Sequence, residues 1–355
     1  MALGRQNAQR VRAEQTTIAL PTYWVGSLQI RKEQEISQVP LSTLETALVP
    51  SINRGMKVLR EAGGCDVTCK DHGWSRAPLF ATGSVVEADQ LVDIIHREKE
   101  EIKEIAEGTT RYGHAIDIQP IVIGTDVHMR LVMSTGDAAG HNMVTKAAHE
   151  VAKFLVRRAP YARCITVSGN MCTDKKNAAI NPLLGHGCEV RAGVYVDVGL
   201  CDKILKVHPQ DLVELVTKKD HVGSIAAGSV WSANAHVANI LAAMYLATGQ
   251  DIANIVEGAQ AITTAEIRGS GLYFAVTMPT LVVGTLGNGK ERGDQKKNLE
   301  RLECYGAGTP SGAHKERLAK IIGATALAGE LSLHAALASE YSSHLVKAHE
   351  DLERR

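Results

Sequence analysis

The sequence predicts an α+β protein of two domains, in which a compact ferredoxin-like (βαββαβ) domain is inserted into a larger one. Residues from about 78 to 167 alternate strand-like and helix-like patterns in the order strand, helix, strand, strand, helix, strand, which is the split βαβ pattern. The flanking residues differ, because they carry long alanine-rich helical stretches. A chain of 355 residues, 45% of them hydrophobic, is long enough for two or three packed units.

Each element of the small domain has a local signal. "APLFATG" reads as a strand, and Ser84 with Glu87 forms a capping box that opens a helix closed by Gly108. The apolar face of that helix comprises Ala88, Leu91, Val92, Ile95, Ile102 and Ile105. "HAIDIQPIVIG" and "DVHMRLVMSTG" form a predicted hairpin around residues 124–126, a second helix runs from about Met143 to Pro160, and "ARCITVSG" is the last strand.

The larger domain is predicted to comprise residues 16–77 and 179–340. "SIAAGSVWSANAHVANILAAMYLATG" reads as one long helical stretch, a second surrounds Glu330, and "LYFAVTMPTLVVG" is a strand between them. Residues 168–178 would link the two domains. Residues 1–15 are polar without an apolar core, so we expect an irregular or disordered segment rather than a signal peptide.

Charge and hydropathy exclude several partners. Lys plus Arg and Asp plus Glu both number 39, so no field of one sign exists to hold nucleic acid or an anionic membrane. "IIGATALAGELSLHAALA" is about long enough to span a bilayer, but Glu330, His334 and its small residues favour a buried helix. We therefore expect a cytoplasmic protein that binds a small ligand.

The seven cysteines include no C-x-x-C pair and are typical of reduced intracellular thiols. Cys65, Cys69 and His72 could ligate a metal ion, but no fourth ligand follows at a recognisable spacing. We therefore expect no metal.

Two glycine-rich segments are candidate phosphate sites. "STGDAAGHNM" precedes a predicted helix, where Gly136, Gly140 and the backbone near Asn142 would favour an anion, although Asp137 opposes one and a tight turn with an Asn cap remains the alternative. "GTLGNGKE" matches G-x-x-x-x-G-K, but Glu291 stands where a P-loop needs Ser or Thr. A P-loop nucleotidase is therefore disfavoured, although the glycines can still approach a ligand closely.

Three charged residues lie among small or apolar neighbours, where charge is costly unless it is paired. They are Glu45, Lys175 and Asp251. A lysine between two carboxylates could stabilise an oxyanion, while a crowded carboxylate could donate a proton near neutral pH. Ordinary salt bridges are the alternative.

Several segments, in order, resemble those of 3-hydroxy-3-methylglutaryl-coenzyme A (HMG-CoA) reductases, most nearly the soluble bacterial members of class I. They are "PLSTLETALVPSINRG", "GDAAGHNM", "SGNMCTDKKNAAIN", "SANAHVANILAAMYLATGQDIANIVEG", "TMPTLVVGTLGNG", "AGELSLHAALA" and "HLVKAH". The resemblance implies two NADPH-dependent reductions of HMG-CoA to mevalonate and coenzyme A (CoA), with NADH not excluded. It also implies a substrate domain around a long central helix, an inserted NADP-binding domain and a C-terminal flap at residues 341–355.

The resemblance also implies roles for individual residues. Lys175 corresponds to the lysine that stabilises the oxyanion, Glu45 to the proton donor, Asp251 to the aspartate that tunes them, and His349 to the flap histidine that protonates the CoA thiolate. The implied substrate-binding residues are Arg76, Ser168, Asp174, Lys176, Lys219 and Asn239. The implied cofactor-binding residues are Asp137, Ala139, Gly140, His141, Asn142, Met143, Gly284 and Gly287.

In the family, the lysine loop of one chain faces the glutamate of its partner, so the resemblance implies a homodimer with the active site at its interface. The chain departs from the family pattern at Ala139 and His141, where many relatives have methionines, and at "TPSGAHKERLA" before the long helix. A catalytically silent paralogue that binds CoA esters is the main alternative to a working reductase. NADPH and NADH are not distinguished, because no basic residue is placed against a 2′-phosphate.

Overall fold

The computed structural model describes residue 16 and residues 18–287 and 289–353, without the side chains of residues 341, 352 and 353. The predicted irregular segment 1–15 lies outside the described residues. In the part described, the strands form three antiparallel sheets. The strands are β1 (Thr22–Val25), β2 (Val39–Ser42), β3 (Asp66–Asp71), β4 (Trp74–Arg76), β5 (Leu79–Ala81), β6 (Ala115–Ile123), β7 (Asp126–Met133), β8 (Arg163–Thr166), β9 (Cys188–Val196), β10 (Ile262–Arg268) and β11 (Gly271–Leu281).

The helices lie between and around these sheets. They are α1 (Leu48–Glu61), α2 (Val85–Arg97), α3 (Lys99–Glu107), α4 (His141–Arg158), α5 (Ile180–Leu184), α6 (Val198–Leu200), α7 (Pro209–Leu215), α8 (Ser224–Ala226), α9 (Val237–Thr248), α10 (Ile255–Gly258), α11 (Gly293–Arg301), α12 (Ala313–Ala338) and α13 (Ser343–Glu353). Two π-helical segments (Cys201–Leu205 and Val216–Gly223) and two 3₁₀ turns (Ile252–Asn254 and Glu340–Ser342) complete the described elements.

One sheet carries the elements predicted for residues 78–167. Its strands lie in the order β6, β7, β5, β8, and β4 pairs with β7 beside β5. The side chains of α2, α3 and α4 pack against it in a hydrophobic core of their own. The predicted strand and helix order is therefore present in this part of the chain.

Three local predictions for this region need correction. The helix opened by Ser84, whose hydroxyl accepts a hydrogen bond from the Glu87 amide at 3.2 Å, is divided at Glu98, where the backbone leaves helical geometry (φ −101°, ψ 20°). The hairpin loop is shorter than predicted, since Asp126 already pairs with Ile123. The second helix begins two residues earlier than predicted, at His141.

The second core lies around α12. This helix packs on β9, β11 and β3 on one side and on α1 and α9 on the other. A Cβ atom on Gly55 of α1 would overlap the Ala328 carbonyl, so only glycine allows the two helices to pack this closely. By length and composition α12 could cross a membrane, but 83% of its most apolar window is buried inside the fold. Its hydrophobicity is therefore that of a core helix.

The prediction of one long helix across residues 224–249 is wrong. Residues 227–236 are not helical, and α9 begins only at Val237. The Glu330 carboxylate accepts hydrogen bonds from the Ala235 and His236 amides at 2.9 and 2.7 Å, and Asn234 donates to the carbonyls of residues 259 and 261. Because tertiary partners take these backbone groups, they are not free for a helical ladder.

Candidate active site

The loop at residues 168–178 holds Lys175 in an uncommon backbone conformation. Asn170, Thr173 and Lys175 have positive φ angles of 65°, 41° and 60°, which non-glycine residues rarely adopt. The surrounding structure fixes the loop: Glu257 accepts a hydrogen bond from the Lys175 amide at 3.0 Å, and Gln260 donates to the side chain of residue 177 at 3.0 Å. The fold therefore constrains the backbone position of Lys175.

The Lys175 ammonium lies 2.7 Å from the Asp251 carboxylate. Asp251 follows α9, and its other oxygen accepts a hydrogen bond from the Ala253 amide at 3.1 Å. The hydrogen bond that Lys175 donates to Asp251 raises the pKa of Lys175. Burial opposes the effect of Lys175 on Asp251, but the net result is a lowered pKa for Asp251. Both side chains remain more than one third exposed, so a charged and accessible ammonium is available to a ligand.

His141, the first residue of α4, extends this cluster. Its Nε2 lies 3.0 Å from the Asn254 side-chain oxygen and 3.8 Å from the Asp251 carboxylate, and its ring packs on Trp74 at a 43° tilt with centroids 4.1 Å apart. Burial lowers the pKa of His141. The residue predicted for the cofactor loop therefore also touches the lysine–aspartate pair, as a neutral imidazole near neutral pH.

Several of the predicted substrate-binding residues lie beside Lys175. The Arg76 guanidinium contacts the Asp174 carboxylate at 2.9 Å. The Ser168 hydroxyl lies 3.3 Å from the Cys172 thiol, and the exposed Lys176 ammonium donates to the Asp174 carbonyl at 3.0 Å. These four residues form one cationic and polar rim around the loop.

Glu45, Asn239 and His349 lie together in a different place, lining a cavity of about 490 Å³ between α1, α12 and α13. In the described residues, no hydrogen bond or ion pair joins Glu45 to Lys175. Within one chain, the four predicted catalytic residues therefore form two groups, Glu45 with His349 and Lys175 with Asp251.

Lys219 is itself 37% exposed but contacts a buried network. Its ammonium contacts Asp220 at 2.8 Å, and Asp220 contacts Nε2 of His334 at 2.6 Å. Asp220, His334 and Glu330 have donor atoms close enough for a metal ion. The Glu330 carboxylate, however, already holds two backbone amides and the Thr263 hydroxyl, so we interpret the cluster as a hydrogen-bond network.

Cys65, Cys69 and His72, the candidate metal ligands, do not converge on one point. His72 pairs with Glu189 at 3.0 Å, and the Cys65 thiol lies 3.6 Å from the Gln29 carbonyl. These three potential ligands do not form a cluster in the part of the chain that the structure describes.

The two glycine-rich loops pack against each other at the start of α4. Gly140 caps the helix with φ 108°, and a Cβ there would crowd Trp74. A Cβ on Gly284 would meet the Ala139 amide at 2.5 Å, whereas Gly287 (φ 89°) faces open space. This helix terminus, capped by glycine rather than by the Asn that a plain turn would use, has the geometry that favours an anion.

Three residues of the predicted cofactor loop differ in their surroundings. Asn142 is exposed, and the Met143 sulfur accepts a hydrogen bond from Thr110 at 3.1 Å. The buried Asp137 carboxylate accepts hydrogen bonds from the amides of Gly308, Gly312 and Lys315 at 2.8 to 3.0 Å. Asp137 thus caps the start of α12, and backbone donors stabilise its charge.

Sequence reasoning missed Glu257. It is fully buried, accepts the Lys175 amide and a side-chain hydrogen bond from Asn254, and lies 3.9 Å from His186. Burial raises the pKa of Glu257 to about 8. The sequence did contain an indication of this residue: Glu257 is a second carboxylate, six residues after Asp251, in the same largely apolar segment "ATGQDIANIVEG".

Comparisons with known proteins relate the chain to one enzyme family. A sequence profile described as hydroxymethylglutaryl-coenzyme A reductase matches residues 13–354. The chain is 42% identical to the 3-hydroxy-3-methylglutaryl-coenzyme A reductase of Methanocaldococcus jannaschii over 344 residues, covering 95% of this chain and 83% of that protein. It is 43% identical to the enzyme of the same name from Aeropyrum pernix over 340 residues, covering 95% and 80%.

Solved structures share the fold at lower identity. The class II reductase of Streptococcus pneumoniae bound to NADPH superposes with a TM-score of 0.71 at 19% identity, covering 91% of this chain and 86% of that one. Another structure of the S. pneumoniae reductase gives a TM-score of 0.69 at 20% identity, with the same coverage. The profile match over nearly the whole chain and the archaeal relatives establish that the chain belongs to the hydroxymethylglutaryl-coenzyme A reductase family.

Proposed function

We propose that this protein reduces HMG-CoA to mevalonate and CoA with two equivalents of NADPH, and so serves the mevalonate pathway to isoprenoids. The observation that carries the proposal is the Lys175–Asp251 pair on a constrained, solvent-accessible loop. When bound, the dinucleotide supplies one hydride to the thioester carbonyl and a second to the resulting aldehyde.

The chain's own residues handle charge and protons in this reaction. The Lys175 ammonium would donate to the carbonyl oxygen as negative charge develops on it, while Asp251 keeps the lysine protonated. Collapse of the hemithioacetal breaks the carbon–sulfur bond, and His349 would protonate the departing thiolate. Glu45 would then give a proton to the alkoxide formed from the aldehyde.

The residues at the start of α4 fit a dinucleotide. No side chain caps the helix N-terminus at Gly140, Gly284 lies against Ala139, and the Asp137 charge is held by backbone amides. We propose that residues 137, 139–143, 284 and 287 form the cofactor site. NADPH is the expected donor, as in the NADPH-bound structure of the S. pneumoniae enzyme, and NADH is the alternative that the assay distinguishes.

We also propose that the site is completed by a second copy of this chain. The separation of Glu45 and His349 from Lys175 within one chain supports an arrangement in which each pair faces the other across a dimer interface. Arg76, Ser168, Asp174 and Lys176 would hold the substrate from the lysine side, and Lys219 and Asn239 from the glutamate side.

The domain assignment is part of the same proposal. Two separate hydrophobic cores support an inserted ferredoxin-like NADP-binding domain at residues 78–167, within a substrate domain built on α12 from residues 16–77 and 179–340. Residues 168–178 would link them. The segment proposed as the flap, residues 341–355, carries α13 packed on α12, with His349 facing the cavity.

Class and location remain proposals. The names of the archaeal relatives give no class, and the class II structure at 19% identity shares the fold alone, so these relatives support neither class I nor a bacterial subtype. A cytoplasmic location is supported by the burial of α12 and by the unpaired state of all seven cysteines.

The first test follows nicotinamide absorbance with HMG-CoA, using NADPH and NADH in parallel. We expect two cofactors to be oxidised per CoA released, with this turnover lost in Lys175→Ala. A folded protein that binds HMG-CoA but oxidises neither cofactor would instead identify a silent binder.

Mixed dimers test the shared site. Glu45→Ala and Lys175→Ala should each be inactive alone. Subunits exchanged in equal amounts should recover about one quarter of wild-type turnover, because half of the dimers then hold one intact site. No recovery, despite demonstrated subunit exchange, would place all four residues in one chain's site.

A further inference from the structure

Lys290 is a buried cation that lacks a partner. Its side chain is 5% exposed, and no hydrogen bond or ion pair to its ammonium exists among the described residues. The other buried cations are paired: Arg130 donates to Gln119 and to a backbone carbonyl, and Lys315 contacts Asp71 and the Thr135 hydroxyl. The Lys290 nitrogen is not fully enclosed, so a ligand can reach it. A nearly buried ammonium without a hydrogen-bonded partner is nevertheless unfavourable, so its presence calls for an explanation.

The position of Lys290 relates it to the proposed active site. It follows the glycine-rich loop between β11 and α11, and Gly289 packs so closely on Gly249 that a Cβ on either would overlap the other's backbone. Gly249 lies two residues before Asp251, whose charge acts on Lys290. The loop that carries Lys290 therefore packs against the turn that carries Asp251, the proposed catalytic aspartate.

The same loop contacts the start of α4. The Thr285 amide donates to the Asp137 carbonyl at 2.8 Å, and Gly284 lies against Ala139. One short segment thus connects the Asp251 turn, Lys290 and the helix terminus where an anion is favoured. A cation and an open helix N-terminus reach this region from different parts of the chain.

Among the described residues, no carboxylate contacts the Lys290 ammonium directly, and the charge of Asp251 acts on it only from a distance. One oxygen of Asp251 holds Lys175 at 2.7 Å, and the other accepts the Ala253 amide. Burial lowers the pKa of Lys290, while the Asp251 charge acts in the opposite direction. The missing counter-charge is therefore expected from a ligand.

We propose that Lys290 binds a phosphate group of the dinucleotide held at the start of α4. This assignment rests on the proposed reductase function. CoA also carries phosphates, but the contact of the loop with residues 137 and 139 favours the dinucleotide.

Binding measurements on the full-length protein test the assignment. NADP⁺ and CoA are titrated separately by calorimetry into wild type, Lys290→Met and the milder Lys290→Gln. A charge-assisted contact with phosphate predicts NADP⁺ binding weakened about tenfold or more, with CoA binding unchanged. Raising the salt concentration should weaken NADP⁺ binding more steeply in wild type than in either variant. Unchanged NADP⁺ binding, or a loss confined to CoA, would overturn the proposal.

Stability without ligand gives a readout independent of turnover. Because Lys290 has no partner, Lys290→Met should keep or raise the urea midpoint of unfolding. Lys315→Met is the matched control: it removes an equally buried but paired ammonium and should lower the midpoint. A midpoint lowered equally in both variants would contradict an unpaired Lys290.

These results separate the two proposals. Wild-type protein that binds no NADP⁺ would count against the reductase function itself. Wild-type turnover combined with unchanged NADP⁺ binding in the Lys290 variants would count against the role of Lys290 alone.

Discussion

Glu257 provides a direct test of the electrostatics around the lysine loop. Its buried carboxyl faces the positive charge of Lys175 and the negative charge of Asp174. His186, 3.9 Å away, contributes no positive charge near neutral pH, because burial holds its pKa well below the usual range. Burial is the largest effect and raises the pKa of Glu257 from 4.5 to about 8.

The raised pKa of Glu257 makes the folded protein less stable as pH rises. Below pH 4.5 the carboxyl is protonated in both the folded and the unfolded state. Between pH 4.5 and about 8 the unfolded chain loses the proton while the folded chain keeps it, so the free energy of unfolding falls as pH rises. At about 1.4 kcal/mol per pH unit, the full cost approaches 5 kcal/mol above pH 8. From pH 5.5 to 8.5 it grows by about 3 kcal/mol.

Glu257→Gln removes this titration while keeping an acceptor for the Lys175 amide. Urea unfolding at pH 5.5 and 8.5, followed by tryptophan fluorescence, should show the variant gaining about 3 kcal/mol relative to wild type as pH rises. Thr280→Val is the control, because it removes the 2.6 Å hydrogen bond to the Glu257 carbonyl without removing a titrating group. A free-energy difference for Glu257→Gln that is the same at both pH values would refute the reasoning.

Two further variants test the supports of the site by urea unfolding. Asp137→Ala should destabilise the protein by about 2 to 4 kcal/mol, because three backbone amides at the start of α12 lose their acceptor; a loss below about 0.5 kcal/mol would mean that water replaces the carboxylate. Although burial opposes it, Asp220 and Glu330 raise the pKa of His334, so the cost of His334→Gln should be largest below pH 6.5 and shrink as pH rises. A cost that grows with pH would contradict the ion pair.

Local patterns predicted much of the fold. The Ser84 capping box, the β6–β7 hairpin and the apolar periodicity of α4 depend on neighbours within a few residues, so their positions were predicted to within a few residues. The burial of α12 was also expected, because a long apolar helix that contains Glu330 and His334 requires partners for these side chains inside a fold.

The errors arose where distant residues determine backbone structure. Residues 227–236 lie within an alanine-rich stretch that was predicted to be helical, yet Glu330, about 95 positions away in the sequence, accepts hydrogen bonds from the amides of residues 235 and 236. From the sequence, Asp137 was expected to oppose an anion. The folded structure shows that it instead accepts hydrogen bonds from amides within residues 308–315. The hydrophobic periodicity of a single segment cannot predict a hydrogen bond between residues that are far apart in the sequence.

For the candidate site, the sequence identified residue types but not their grouping. Lys175 and Asp251 meet in one chain, whereas Glu45 and His349 meet in a separate cavity, and only the folded coordinates reveal this division. A resemblance to a family supplies roles for the residues of matching motifs, yet it does not describe the surroundings of a residue such as Glu257.

The buried charged side chains of this protein differ in whether they have hydrogen-bond partners. The buried carboxylates of Glu330 and Asp137 each accept backbone amides, which is sufficient to explain their burial. Lys290 has no such partner, and the Lys175–Asp251 pair stays open to solvent. Since an uncompensated buried charge lowers stability, it is expected to persist where a bound ligand supplies the missing counter-charge. The contrast between Lys290 and the equally buried Lys315 is therefore the sharpest indication of where this chain's ligand-binding charges lie.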